Sequence, residues 1–228
     1  QSISSFLQSG NYAEAGISVL DPTVKGQDYD ANAVGDMGDD YYFPSAAIKV
    51  QATDKISLGL LYDQPFGADA SYQADGSNFA TANEGTQVKV RTHNLSALIG
   101  YQPTEHWNIY AGPVWQTVEA DINLNGSTYS ILSGYNIDVE QEEAFGWIGG
   151  LAYQIPEIAL KMAVTYRSEI KHNTTSLESA TPLVTIAPGV NVNVPFVVNS
   201  TTQAVTPQSV NIDLQSGVAE NTLAFANI

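Results

Sequence analysis

The chain has 228 residues, with 8 Lys and Arg against 24 Asp and Glu, for a formal net charge of −16. That balance argues against a nucleic-acid partner, which needs a basic face to neutralise phosphates. With 43% hydrophobic residues and no cysteine, the chain is not a disordered acidic polymer. It also offers no disulfide framework, thiolate metal site or cysteine nucleophile.

No stretch approaches the roughly 18–20 consecutive apolar residues of a membrane helix. No basic-then-apolar leader opens the chain, so a signal peptide is expected to be absent or already removed. A membrane barrel remains open, because its strands need only about 9–11 residues and carry no continuous apolar run.

Period-two alternation recurs along the chain. A first strand is expected near Tyr12–Leu20, with Ala13, Ala15, Ile17 and Val19 on one face and Asp21-Pro22 closing it. Next, Ala46, Ile48, Val50 and Ala52 share one parity. After the turn Asp54-Lys55, Ile56, Leu58, Leu60 and Tyr62 form one face, and Ser57, Gly59 and Leu61 the other. This is a hairpin with one apolar and one mixed face. The pattern returns at Leu95–Tyr101 and Trp107–Gln116 around a turn at Gln102–His106, and at Phe145–Gln154 and Ile158–Arg167 around Ile155-Pro156-Glu157. A weaker hairpin pairs Val210, Ile212 and Leu214 with Leu223 and Phe225, turning near Gly217–Asn221. About nine strands result.

Short turns alternate with long polar segments, roughly 21–43, 63–87, 125–143 and 172–206. Compact soluble domains seldom carry several structureless loops beyond about 12–15 residues. A meander with short turns at one end and long loops at the other is the form of an outer-membrane barrel. Tyr101, Trp107 and Tyr153 flank the short turns, and Tyr62 and Tyr166 lie toward the far ends of outward faces. Rings there suit the membrane–water interface. A soluble β-sandwich with rings at its rims is the competing reading. Against it, inner faces bearing glycines and Lys49, Lys161 and Arg167 would pack a sandwich core poorly.

The acidic excess falls in or beside the expected outer loops, at Asp28, Asp30, Asp36, Asp39, Asp40, Asp63, Asp69 and Asp75. The run Gly35–Asp40 offers carboxylates to a hard cation. It lacks the calcium-hand spacing, so a solvated loop is favoured and no metal site is assigned. There is no phosphate-cradling glycine loop, His-Glu-x-x-His or nucleophile elbow. His93, His106 and His172 are scattered. Glu142 and Glu143 are adjacent on an expected strand and so point to opposite faces. No enzymatic activity and no cofactor are expected.

Two segments stand out. In Thr165–His172, parity places Arg167, Glu169 and Lys171 toward the lumen with Lys161. They form either a self-neutralising charge ladder or a cationic spot for a carboxylate headgroup, since Arg and Lys supply charge-assisted donors. In Tyr62-Asp63-Gln64-Pro65-Phe66-Gly67, proline removes a ladder donor and glycine admits unusual dihedrals. Either the strand ends there or a kink opens a lateral gap in the wall.

The alternating hairpins, the Tyr62–Gly67 segment, the turn Leu151-Ala152-Tyr153-Gln154-Ile155-Pro156, the Tyr166-Arg167-Ser168-Glu169 run and Thr206-Pro207-Gln208-Ser209 together resemble the outer-membrane long-chain fatty acid and toluene transporters (the FadL family). The resemblance implies a multi-pass, antiparallel, up-and-down transmembrane β-barrel of 14 strands in the bacterial outer membrane, plugged by an N-terminal hatch. It implies a side opening at a kinked third strand, here Tyr62, Pro65, Phe66 and Gly67. It also implies passive transport of hydrophobic molecules, long-chain fatty acids first among them, through an internal pocket. Outer-membrane lipid and lipopolysaccharide would be its surroundings, and Lys161, Arg167 and Glu169 candidate lumen contacts. A general porin or a surface receptor or adhesin barrel is the alternative. Residues 1–228 are expected to form one barrel domain. The chain opens Gln1-Ser2-Ile3-Ser4 without the family's Asn-Pro-Ala hatch segment, and about five strands are missing after Ile228. It is therefore expected to be an incomplete chain.

Overall fold

The computed structural model describes residues 3–73 and 76–228; Gln1, Ser2, Ala74 and Asp75 lie outside the described residues. The strands, in chain order, are β1 (Tyr12–Leu20), β2 (Gly26–Gln27), β3 (Ala33–Val34), β4 (Tyr41–Gln51), β5 (Ile56–Asp63), β6 (Gly67–Ser71), β7 (Gln87–Tyr101), β8 (Trp107–Leu124), β9 (Tyr135–Ile155), β10 (Leu160–Arg167), β11 (Ile170–Ala180), β12 (Leu183–Ala187), β13 (Val190–Asn193), β14 (Phe196–Thr206), β15 (Ser209–Ala219) and β16 (Thr222–Asn227). Two small hairpins, β2–β3 and β12–β13, sit in long connections. All other strands join one antiparallel sheet curled into a half-barrel. Three wall strands are each built from two pieces: β5 with β6, β10 with β11, and β14 with β15. Among the described residues that gives nine wall strands, each beside its neighbour in sequence. Among the described residues, no helix is long and apolar enough to cross a membrane.

The alternation read from the sequence is the alternation of the wall. Ser57, Leu61, Ser96, Leu98, Tyr110, Ile148 and Ala163 are buried on the concave side. Ile48, Leu58, Leu60, Ile99, Ile109, Phe145, Trp147, Leu151 and Val164 are exposed on the convex side, with no second protein layer over them among the described residues. Each such side chain left in water forgoes about 1.5–3 kcal/mol, so rows this long are tolerable only against hydrocarbon. Rings mark both ends of the band. Trp107 and Tyr153 pack 4.8 Å apart at the short-turn end, and Trp147 and Tyr166 pack 5.1 Å apart at the other. On β7, Tyr101 to His93 spans about 27 Å at ~3.4 Å per residue. At a tilt near 40° this is about 20 Å of membrane normal, close to the apolar height of such barrels.

The expected long segment 172–206 is corrected. β11 and β14 pair over its flanks, from Ile170↔Thr206 to Ala180↔Phe196, leaving only residues 181–195 as loop. The alternation signal is lost there because both faces are polar: His172, Thr174 and Ser176 point inward, and Lys171, Asn173 and Thr175 outward. Likewise β6 extends the wall within the expected segment 63–87, paired to β7.

Candidate functional site

Residues 3–8, to which the sequence reading gave no element, lie inside the curled sheet. Main-chain bonds from Phe6 to Ile3 (3.0 Å), Leu7 to Ser4 (3.2 Å) and Gln8 to Ser5 (3.4 Å) wind them into a tight turn. Ile3 and Phe6 are fully buried, with the Phe6 ring edge-on to Tyr110 at 5.8 Å. Small wall residues make room for it: a Cβ on Gly59 would lie 2.5 Å from the Phe6 ring. Charges hold both ends of the turn. The Ile3 N–H faces Asp213 Oδ2 at 3.4 Å. At the carbonyl end, Lys161 Nζ donates to Leu7 O at 3.1 Å, and Lys49 Nζ donates to Gln8 O. Placing an acid at the amide end and bases at the carbonyl end is the favourable arrangement for aligned peptide dipoles. Lys161 therefore does face the lumen, but its ammonium already serves the plug.

The second feature is a break in the third wall strand. β5 pairs with β7 up to Asp63↔Asn94, and β6 resumes at Gly67↔Arg91. Gln64, Pro65 and Phe66 thus stand opposite only Thr92 and His93, so the strand carries one extra residue, as in a bulge. The Thr92 hydroxyl takes over the lost ladder contacts, accepting from Phe66 N at 2.9 Å and donating to Phe66 O at 2.5 Å. On the other side the wall parts. β4 pairs with β5 only as far as Ala46↔Tyr62; above that, β4 pairs among the strands with β1 alone, and β6 pairs with β7 and, at Ala70, with Gly38 of the loop before β4. Main-chain bonds from Asp39 to Asp69 (3.1 Å) and Ser71 to Met37 (2.8 Å) close the top of this window. A cavity of about 340 Å³ opens into it, lined by Phe43, Ser45, Tyr62, Asp63 and Pro65 of the wall and Ser5 of the plug. Tyr62 leans on His93, its hydroxyl 2.7 Å from Nδ1. The Tyr41 ring lies over Gly67, where any Cβ would collide with it.

Arg167 is reached from the inside. A cavity of about 290 Å³ is lined by Arg167, Pro65, Phe66, Asn94, Gln116 and Ile170, among others. The structure therefore brings the two sequence-derived segments to one space. Asp63 and Asp213 lie close enough for their charges to act on Arg167. Above this cavity, buried His172 sets Nε2 2.9 Å from Gln116 Oε1, which also accepts from Thr206 Oγ1 at 3.0 Å.

The expected lumen placement of Glu169 and Lys171 is corrected. β10 ends at Arg167 and β11 begins at Ile170, and across this break the inward parity changes from odd to even residues. Glu169 and Lys171 are turned outward and pair with each other at 3.0 Å.

At the outer end, Asp28 latches three loops. Its carboxylate accepts from the main-chain N–H groups of Asp30 (3.0 Å), Asn32 (2.8 Å) and Asn78 (2.9 Å) and from Asn32 Nδ2 (3.0 Å). Asn78 in turn meets Ser127, and Asn78 O accepts from Thr128 N at 2.9 Å. Burial alone would raise the Asp28 pKa, but these donors outweigh it and hold the carboxyl below its usual range. In the Gly35–Asp40 run, Asp36 Oδ1 accepts from Val24 N at 2.9 Å. Among the described residues, no three His, Cys, Asp or Glu gather as a metal site would need. Asp75 lies outside the described residues.

The family model described as outer membrane protein transport protein (OMPP1/FadL/TodX) matches residues 4–222. No curated protein matches the chain. Among solved structures, a FadL homologue of Pseudomonas aeruginosa is 12% identical with a TM-score of 0.62, covering 92% of this chain and 56% of that one. The Pseudomonas putida toluene transporter TodX is 13% identical at 0.62, covering 98% and 61%. The Ralstonia pickettii toluene transporter TbuX is 14% identical at 0.63, covering 93% and 60%. The chain thus spans about three fifths of the length of these structures, and the likeness is one of fold.

Proposed function

The chain belongs to the outer membrane transport protein family of the OMPP1/FadL/TodX type, and from that premise we propose that it passively moves hydrophobic molecules across the bacterial outer membrane. Residues 1–228 act as one barrel-wall unit with its own plug, and the activity is not enzymatic. The observation that carries this reading is the window between β4 and β6, at the height of the outer aromatic row, with a cavity leading into it from the plug. A molecule captured above the loops would leave sideways past Tyr62, Pro65, Phe66 and Gly67 rather than fall through a water-filled pore.

Long-chain fatty acids are the substrate this interior suits best. The Arg167 cavity combines a guanidinium with apolar Phe66, Val114 and Ile170, and a guanidinium binds a carboxylate with two parallel donors. Lys161 joins only if the plug turn releases it. Replacing Arg167 by Ala in the intact protein is expected to weaken fatty-acid binding about tenfold, the order of one charge-assisted hydrogen bond. Binding of an uncharged aromatic hydrocarbon is expected to stay unchanged. Equal loss for both probes would show that Arg167 shapes the wall and does not read the headgroup.

A further inference from the structure

The acidic run Gly35–Asp40 crosses the top of the window between β4 and β6. Met37 has a main-chain neighbour on each side: its N–H donates to Val24 O at 3.0 Å, and its carbonyl accepts from Ser71 N at 2.8 Å. Asp39 N reaches Asp69 O at 3.1 Å, and Gly38 is bridged to Ala70 between these two bonds. The Asp36 carboxylate braces the run, accepting from Val24 N at 2.9 Å and from Gly38 N at 3.3 Å. Gly38 leaves room for Pro22, whose Cγ would lie 2.8 Å from a Cβ there. Residues 36–39 are therefore a strap that ties the approach to β4 onto the end of β6.

The strap fixes where β4 begins, and Tyr41 is its first residue. On one side the Tyr41 main chain pairs with Leu20 of β1. On the other its side chain crosses the gap. The half-buried ring stacks on Phe43 at 5.7 Å and lies over Gly67 on the far bank, where a Cβ would fall within the phenol. Gly67 does not have a positive φ, so glycine serves here for space and not for backbone freedom. The Tyr41 hydroxyl faces Gln64 Oε1 at 3.5 Å, a long contact. Gln64 Nε2 donates to Tyr62 Oη at 3.1 Å, and Tyr62 Oη stands 2.7 Å from His93 Nδ1. A line of side chains thus runs from β4, across the break in the third wall strand, to β7.

The two closures differ in what it takes to open them. The strap is held by main-chain hydrogen bonds, which are costly to leave unmade beside an apolar medium. The ring is held by dispersion contacts, each of them small, and by one long polar contact, and it leaves by rotation between staggered side-chain conformers. The ring is therefore the part that yields. It stands at the mouth of the cavity that opens into the window, because Phe43 on one side and Gln64 on the other both line that cavity, with Tyr62 and Pro65 between. An unbranched acyl chain can bend past a standing ring. A rigid fused-ring plate has no torsion with which to do so.

We propose that Tyr41 sets the cross-section of the molecules that leave through the β4–β6 window. With its ring seated over Gly67 and against Gln64, it admits a flexible acyl chain and holds back a rigid plate, while the strap keeps the backbone of the ring in place. This rests on the transport reading above and assigns the shape selectivity of that route to one side chain.

The intact protein would be expressed in an outer membrane lacking other transporters of this type. Uptake of labelled hexadecanoate and of pyrene, a rigid fused-ring hydrocarbon, is measured above that of cells without the protein. Tyr41→Ala is expected to raise pyrene uptake relative to hexadecanoate about tenfold, the lower end of what shape discrimination by a pocket delivers. Tyr41→Phe keeps the ring and is expected to keep the ratio of the unmodified protein. Tyr41→Leu, which retains apolar cover without the ring, is expected to shift the ratio in the same direction as Tyr41→Ala and carries the test if the alanine variant does not fold, as read by electrophoretic mobility. An unchanged ratio in the folded Ala and Leu variants, or a Phe variant that behaves as they do, overturns the filter and leaves the transport reading standing. Uptake of neither probe by the unmodified protein overturns the transport reading itself, and the filter with it.

Discussion

Deletion of Pro65 is expected to lower uptake of hydrophobic substrate about tenfold or more, the consequence of adding about 1.4 kcal/mol or more to each passage, while the wall still folds. Three residues of the third wall strand stand opposite two of β7, and the parity of the strand changes across them: Leu61 points inward below the break, whereas Gly67 pairs with outward Arg91 above it. Removing one residue restores a single register along β7 and lets Phe66 and Gly67 continue toward β4. Each main-chain bond regained is worth about 0.5–1.5 kcal/mol net, and more where lipid offers no competing partner. The deletion therefore favours a closed wall without touching the apolar rows. Uptake and electrophoretic mobility of the folded form, measured on the same preparation, check both halves. A folded deletion variant with undiminished uptake would remove the β4–β6 window from the route.

The largest structural effect is expected at Gly112. This residue and Pro113 sit in the middle of β8, where the β7–β8 ladder lapses between Ser96↔Val114 and Ile99↔Ala111. Proline brings no N–H to the ladder, and the strands close the lapse by direct approach: a Cβ on Gly112 would overlap the main-chain oxygen of Ala97. Backbone cannot rotate aside as a side-chain tip can. Gly112→Val is expected to cost about 3 kcal/mol or more, the upper range for overpacking, read as a lower urea midpoint for loss of the folded form. Gly26→Ala is the matched control, because nothing lies within 4 Å of a Cβ there; its midpoint is expected to be unchanged.

The parts of this molecule that were legible in the sequence are those where lipid enforces the pattern. Along Ile56–Tyr62, Leu95–Tyr101 and Leu160–Tyr166 one face must be apolar, so period-two alternation is strong and the inward set follows from it, including Lys49 among hydrophobic neighbours. Beyond the aromatic row both faces meet water, the constraint lapses, and β11 and β14 read as loop. Phase changes were legible only where a residue announces them. Pro65 marks the break in the third strand and Pro207 the break in the eighth. Ser168-Glu169 carries no such mark, and parity extrapolated through it turned Glu169 and Lys171 to the wrong side. The plug was missed because Ile3-Ser4-Ser5-Phe6 is too short to show a period; its partners Lys49, Lys161 and Asp213 lie far off in sequence and meet it only in the curled sheet.

The lipid-facing wall is tested most directly by nitroxide scanning along β7. The chain offers no competing thiol, so single cysteines can be placed at each position from Leu95 to Tyr101 of the intact protein in bilayers. Collision rates with oxygen, which partitions into lipid, and with a polar nickel complex are then compared. Labels at Leu95, Ala97 and Ile99 should be oxygen-accessible and nickel-poor, and those at Ser96, Leu98 and Gly100 protected from oxygen. Equal accessibility at both parities, or protection of Leu95 and Ile99 from both reagents, would mean that these rows do not face a membrane.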